Sequence, residues 1–200
     1  MSFTIAQSAT EFDGGVTVDK QDKTYTYGDT ITVTVTPKAT GVAPANNALV
    51  LAAPTAGQMA IYEGDRQLTE AKDVTSGSEL TFTIDTAEVN LGRGKHTLTA
   101  KFVESDNMAA QTGTVEVTVN LASISEAKVT VSGGPFTYDG KPKTPTVTVE
   151  LNGKPLSGGT DYKLSYENSN GGADNLTNAG MVTVTAPGQG DYTGNRKRTR

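Results

Sequence analysis

Cysteine and tryptophan are absent from this chain of 200 residues, histidine occurs once, and aromatic residues make up 6%. Without cysteine there is no disulfide scaffold, no Cys-based zinc site, no thiol nucleophile and no thioester adhesion chemistry. No apolar run of about 18 or more residues is present, so no transmembrane helix is expected. The opening MSFTIAQSAT lacks the basic and apolar regions of a signal peptide, which implies a cytosolic protein or a piece excised from a longer one. A basic face is missing too. Residues 1–121 carry eight basic and fifteen acidic side chains, and residues 122–200 carry nine and seven, with Arg196, Lys197, Arg198 and Arg200 at the very end. Binding to nucleic acid needs a basic surface that neutralises phosphates, so nucleic acid is excluded as an expected partner.

What is abundant is threonine and valine. The 32 Thr and 18 Val make a quarter of the chain and stand beside 22 Gly. Branched side chains lose rotamer freedom in helices and pack well on pleated sheets, while glycine supplies the positive φ of tight turns. Apolar residues then recur at every second position: Val16 and Val18; Ile31, Val33 and Val35; Met59 and Ile61; Leu80, Phe82 and Ile84; Leu98, Ala100 and Phe102; Val115, Val117 and Val119. Each set is one buried face of one strand. Runs spaced by about 8–12 residues, with no helical period between them, predict an all-β chain of antiparallel sandwich type. Such regular alternation also argues against disorder.

The charge split and a seam near Asn120–Glu126 predict two tandem domains. The first reads as a β-sandwich over 13–121, with Glu63-Gly64-Asp65 as a turn and the Ala-rich 43–56 as a loop carrying one strand around Leu49–Leu51. The second, 122–200, has Val129 and Val131, Val147 and Val149, Leu164 and Tyr166, and Val182 and Val184 in alternation. Asp139-Gly140 and Asn152-Gly153 read as hairpin turns. Pro142, Pro145, Pro155 and Pro187 read as markers of edges and turns.

The stretch YGDTITVTVTP (27–37), with MAIYEGDRQL (59–68), LTFTI (80–84), GKHTLTAKF (94–102) and TGTVEVTV (112–119), resembles a bacterial Ig-like surface-protein repeat. The second half, with YDGKPKTPTVTV (138–149), GGTDYKLSYENS (158–169), NAG (178–180) and GQGDYTG (188–194), is similar to another tandem repeat of bacterial surface proteins, of the mucin-binding or cell-wall-associated type. These resemblances imply an Ig-like sandwich followed by a small β-rich repeat domain, sandwich or β-grasp-like. They also imply that residues 1–12 end a preceding repeat and that the last strand of the second domain is missing or incomplete. Phe3 and Ile5 carry the apolar signature of such a strand, so residues 2–6 are expected to complete a neighbouring copy or to pair locally.

The implied function is that of non-catalytic spacer modules of an extracellular, bacterial cell-surface or secreted protein, whose partners are neighbouring repeats of the same polypeptide. The alternatives are an adhesin module binding host glycan, mucin or protein, and an accessory domain of a carbohydrate-active enzyme. No membrane insertion, cofactor, metal or catalytic residue is expected. His96 has no nucleophile or acid beside it in sequence, and one histidine alone makes a poor catalytic case. The carboxylate pairs Glu63/Asp65 and Asp161/Glu167 lack the aromatic-lined cleft of a glycosidase and read as solubilising acids. Glu104, Asp106 and Asn107, and Glu167, Asn168, Asn170, Asp174 and Asn175, could supply oxygens to calcium, but without EF-hand spacing they read as turn chemistry. Of the seven tyrosines, Tyr138, Tyr162 and Tyr192 are expected to pack and Tyr25 and Tyr27 to offer exposed contacts, with Tyr62 and Tyr166 unassigned. An intramolecular Lys–Asn isopeptide bond has its residue types present, with nothing in the sequence to pair them.

Overall fold

The computed structural model describes residues 7–40, 57–104 and 108–199. Phe3 and Ile5, the strand expected around Leu49–Leu51, and Asp106 with Asn107 lie outside the described residues. Among the described residues all regular structure is strand, and the chain divides into two compact units between Asn120 and Leu121.

The first unit holds β1 (Ala9–Val18), β2 (Thr24–Thr26), β3 (Thr30–Thr40), β4 (Gly57–Glu63), β5 (Arg66–Gln67), β6 (Lys72–Val74), β7 (Leu80–Asp85), β8 (Gly94–Phe102) and β9 (Gln111–Asn120). One sheet has the order β1-β3-β7, the other β2-β9-β8-β4-β5, with β6 also on β4. The alternation of β3 explains its place. Ile31, Val33 and Val35 point inward opposite Ile84, Phe82 and Leu80, and the threonines between them line the outer face. From the other sheet Met59, Ile61, Leu98, Ala100, Phe102, Val115, Val117 and Val119 enter the same core, so the sheets pack as a sandwich.

Residues 9–12, expected at the end of a preceding repeat, form the first part of β1, with Thr10, Glu11 and Phe12 paired to Ala39, Lys38 and Pro37. The alternation is hidden there because Gly14 and Gly15, at φ of 74° and 76°, make a bulge that resets the register from Asp13↔Thr36 to Val16↔Val35. Gly113 in β9 lies under that strand, and a Cβ on it would stand 2.7 Å from the Phe12 ring and 2.8 Å from Val16.

All these pairings are antiparallel except one. β2 runs parallel to β9, with Tyr25 opposite Val119. The bond from Tyr27 N–H to the Asn120 carbonyl, at 2.8 Å, and that from Thr118 N–H to the Lys23 carbonyl, at 2.9 Å, flank this pairing. At the other end of β9, Ser8 forms a parallel bridge with Met108, and the Thr10 hydroxyl donates to the Ala109 carbonyl at 2.7 Å.

The second unit holds β10 (Ala122–Ser123), β11 (Lys128–Ser132), β12 (Thr146–Leu151), β13 (Lys154–Pro155), β14 (Ser165–Asn168), β15 (Gly172–Ala173), β16 (Val182–Pro187), β17 (Tyr192–Thr193) and β18 (Asn195–Thr199). Its sheets are β11-β12-β13 and β15-β14-β16-β18, and β10 pairs in parallel with β17. Ile124, Ala127, Val129, Val149, Tyr162 and Ala186 form the core. No helix packs on either sheet among the described residues. Asn152-Gly153 is the turn of the β12–β13 hairpin, both residues at positive φ. Asp139-Gly140 joins no strands; the Asp139 carboxylate accepts the Lys141 N–H at 3.0 Å in a local turn. Where the closing strand is expected to be missing or incomplete, Asn195–Thr199 pairs with β16 as β18.

Candidate ligand-binding cleft

Apolar side chains of the second unit do not all reach its core. Phe136 is 45% exposed and Tyr138 64%, and Met181 is exposed as well. Phe136 follows the Gly133-Gly134-Pro135 break that ends β11, where the Gly134–Pro135 bond is cis. Phe136 and Tyr138 border a cleft of about 330 Å³ whose walls include Val131, Pro145, Leu176, Ala179, Val182 and Val184. Its size and largely apolar lining suit a small-molecule or side-chain site. Polar groups at the rim are few: Thr137, Thr177, Asn178 and Lys143.

One wall is the loop from Asn168 to Met181, held by asparagine side chains. The Asn168 amide, 2% exposed, donates to the Asn178 carbonyl at 2.7 Å, and its oxygen accepts the Asn170 N–H at 2.8 Å. The Asn170 amide donates to the Ala179 carbonyl at 2.9 Å, and that of Asn178 returns to the Asn170 carbonyl at 3.1 Å. Asn175 accepts the N–H groups of Thr177 and Asn178 at 3.0 and 2.9 Å. Gly180 is pressed onto this network, and an added Cβ would collide with the Asn168 and Ser169 side-chain oxygens. The side-chain oxygens of Asn168 and Asn175, considered for calcium, are thus engaged with backbone N–H groups. Asp174 accepts the Tyr166 N–H at 3.3 Å, and Glu167 is exposed on β14. No group of three or more His, Asp or Glu placed to hold a metal occurs among the described residues.

The opposite rim is fixed by charge. Lys143 Nζ lies 2.6 Å from Asp139, its backbone N–H donates to the Leu176 carbonyl at 2.9 Å, and the Lys143 and Lys141 hydrogen bonds hold the Asp139 carboxyl below its ordinary range.

The other residues singled out in the sequence lie elsewhere. His96 does have an acid beside it, contrary to the sequence reading. Its Nδ1 is 2.6 Å from Glu63 Oε1 and its Nε2 is 2.7 Å from the Gly92 carbonyl. Glu63 also accepts from Arg66 at 2.7 Å, and the second Arg66 nitrogen donates to the Val89 carbonyl. Burial would raise the Glu63 carboxyl, but the bonds from His96 and Arg66 outweigh it and hold the group below its usual range. This network fastens the β4–β5 hairpin to the 86–92 turn. Asp65 sits exposed at the turn, 4.0 Å from Lys101. Asp161 accepts the Ser157 N–H at 2.7 Å, remote from Glu167 on β14.

The tyrosine expectations divide. Tyr162 is buried and Tyr192 packs against the core, whereas Tyr138 is exposed. Tyr25 is 1% exposed rather than a surface contact, and Tyr27 packs half-buried against the same core. The parallel pairing with β9 carries Tyr25 inward, where its hydroxyl donates to Asp19 at 2.7 Å. Burial first, then this bond, push the phenol well above its ordinary pKa.

The cleft itself was not legible as a site. Its walls come from 131–145 and 176–184, and the only local signal was an apolar Phe136 standing outside any alternation beside a Gly-Pro turn. No protein family matches the chain, and no curated protein matches it.

Proposed function

We propose that the chain is a pair of non-catalytic, load-bearing spacer modules of a bacterial cell-surface or secreted protein. The observation that carries this reading is the parallel pairing of early and late strands in each unit. In the first unit, Ser8 to Thr10 lie against the start of β9 and β2 against its end. In the second, β10 lies parallel to β17, with the Ala122 N–H bonded to the Asp191 carbonyl at 3.0 Å and the Ile124 N–H to the Thr193 carbonyl at 2.9 Å. A pull on the two ends of a parallel pair loads its hydrogen bonds together, in shear. A pull on one end of an antiparallel ladder opens them one after another. Each bond is worth only about 1 kcal/mol net, so loading them in concert is what raises the rupture force. Two alternating sandwich-type units with short turns suit such a role, as does the resemblance of both halves to surface-protein repeats.

The absence of native cysteine makes the test clean. Cysteine handles at Gln7 and Asn120 pull the first unit in shear, and handles at Lys95 and Thr118, opposite each other at one end of the β8–β9 ladder, unzip it. Single-molecule extension is expected to show a several-fold higher unfolding force for the first pair. Equal forces in the two directions remove the mechanical reading.

A further inference from the structure

The second unit has a seam. β10 and β17 close it at one end, where the Arg196 guanidinium also donates to the Ser125 carbonyl at 3.0 Å. The strands that follow, β11 and β18, lie beside each other but share no ladder: β11 pairs with β12, and β18 with β16. Among the described residues β18 is therefore the outer strand of its sheet, and an outer strand presents a row of backbone donors and acceptors to any extended chain. Val131 on β11 and Val182 and Val184 on β16 wall the cleft beside this seam, with Phe136 at its border.

The side chains of β18 are unusual for this position. Arg198 is opposite Val184 and Arg196 opposite Ala186, so both arginines share the sheet face that carries the buried residues. All five residues of β18 are exposed, and neither Lys197 nor Arg198 has an acidic partner among the described residues. Across the chain acids outnumber bases, for a net charge of −5, so this basic strand is a local exception.

We propose that β18 and the cleft receive an extended acidic peptide carrying a large apolar side chain, added to the sheet as a further strand. Main-chain bonds to β18 would supply the pairing, the apolar side chain would fill the space between Val131, Val184 and Phe136, and carboxylates at the alternate positions would meet Lys197 on the other face of the strand. The overall acidity of the chain disfavours a polyanion such as DNA, which needs many phosphates neutralised at once.

The probe is a fluorescent peptide of about eight residues, an ordinary strand length, alternating Glu and Val with one central Phe, titrated against the full chain. Saturable binding that weakens with added salt is expected. It should fall by about tenfold or more, the size of one good charge pair, in Lys197→Glu, and comparably in Phe136→Ala. A peptide with Lys in place of Glu should bind the charge-reversed variant and not the parent, which separates lost recognition from lost folding. Methylation of alternate peptide amides on the pairing edge should abolish binding. Absence of saturable binding to the parent chain overturns the proposal. So does equal binding of the methylated peptide, indifference to Phe136→Ala, or tighter binding of a DNA oligonucleotide.

Discussion

His96 and Glu63 lie 33 residues apart in sequence and 2.6 Å apart in space, joined through the diagonal of the β4–β8 register in which Glu63 faces Leu98. Both partners of the imidazole, the Glu63 carboxylate and the Gly92 carbonyl, are acceptors, so both bonds are complete only with two ring protons. Glu63→Gln is expected to cost about 1.5–3 kcal/mol of unfolding free energy, the range for a hydrogen bond to a charged group. An unchanged denaturation midpoint contradicts this.

Acid should weaken the first unit. Asp19, Asp29 and Glu63 are all held below the ordinary carboxylate range; in each, burial acts upward and is outweighed by hydrogen bonds, from Thr32 and Tyr25, from Lys20 and Thr26, and from His96 and Arg66. A carboxyl whose folded pKa is depressed stabilises fully above its unfolded value of about 4 and loses that contribution as pH falls through the folded value. Urea midpoints are expected to drop between about pH 5 and pH 3, and less so in Glu63→Gln.

Tyr25→Phe removes the hydroxyl that donates to Asp19 but keeps the ring in the core. Asp19 still accepts the Thr32 N–H at 2.9 Å, so the loss should be about 1 kcal/mol. Tyr25→Ala should cost about 3–5 kcal/mol, as for other large aromatic truncations in a core. Similar midpoints for the two variants would mean that the ring is not buried as described.

Gly113→Ala should destabilise although alanine is the better residue in isolation. The added methyl meets Phe12 and Val16 below van der Waals distance, and overpacking of this kind costs about 1–3 kcal/mol. Gly113→Ala combined with Phe12→Leu should recover part of the loss, which thermal denaturation of the three chains can check.

The strand faces were readable because β3, β7, β8 and β9 alternate without interruption, so period alone told inside from outside. Reading failed where long-range pairing decides. Tyr25 and Tyr27 sit among polar neighbours like a surface pair, and only the parallel contact with β9 buries Tyr25. Phe12 was separated from Val16 by two glycines whose bulge has no counterpart in a simple alternation. Glu63 and His96 meet through a register that neither residue announces locally, and the cleft needs two segments about forty residues apart, an ordinary distance for sheet contacts.

The loop behind the cleft is held by neutral amides bonded to carbonyls and N–H groups. Such bonds are not screened by electrolyte. That wall should keep one shape in fresh water and brine alike, whereas the basic strand β18 will feel every change in ionic strength.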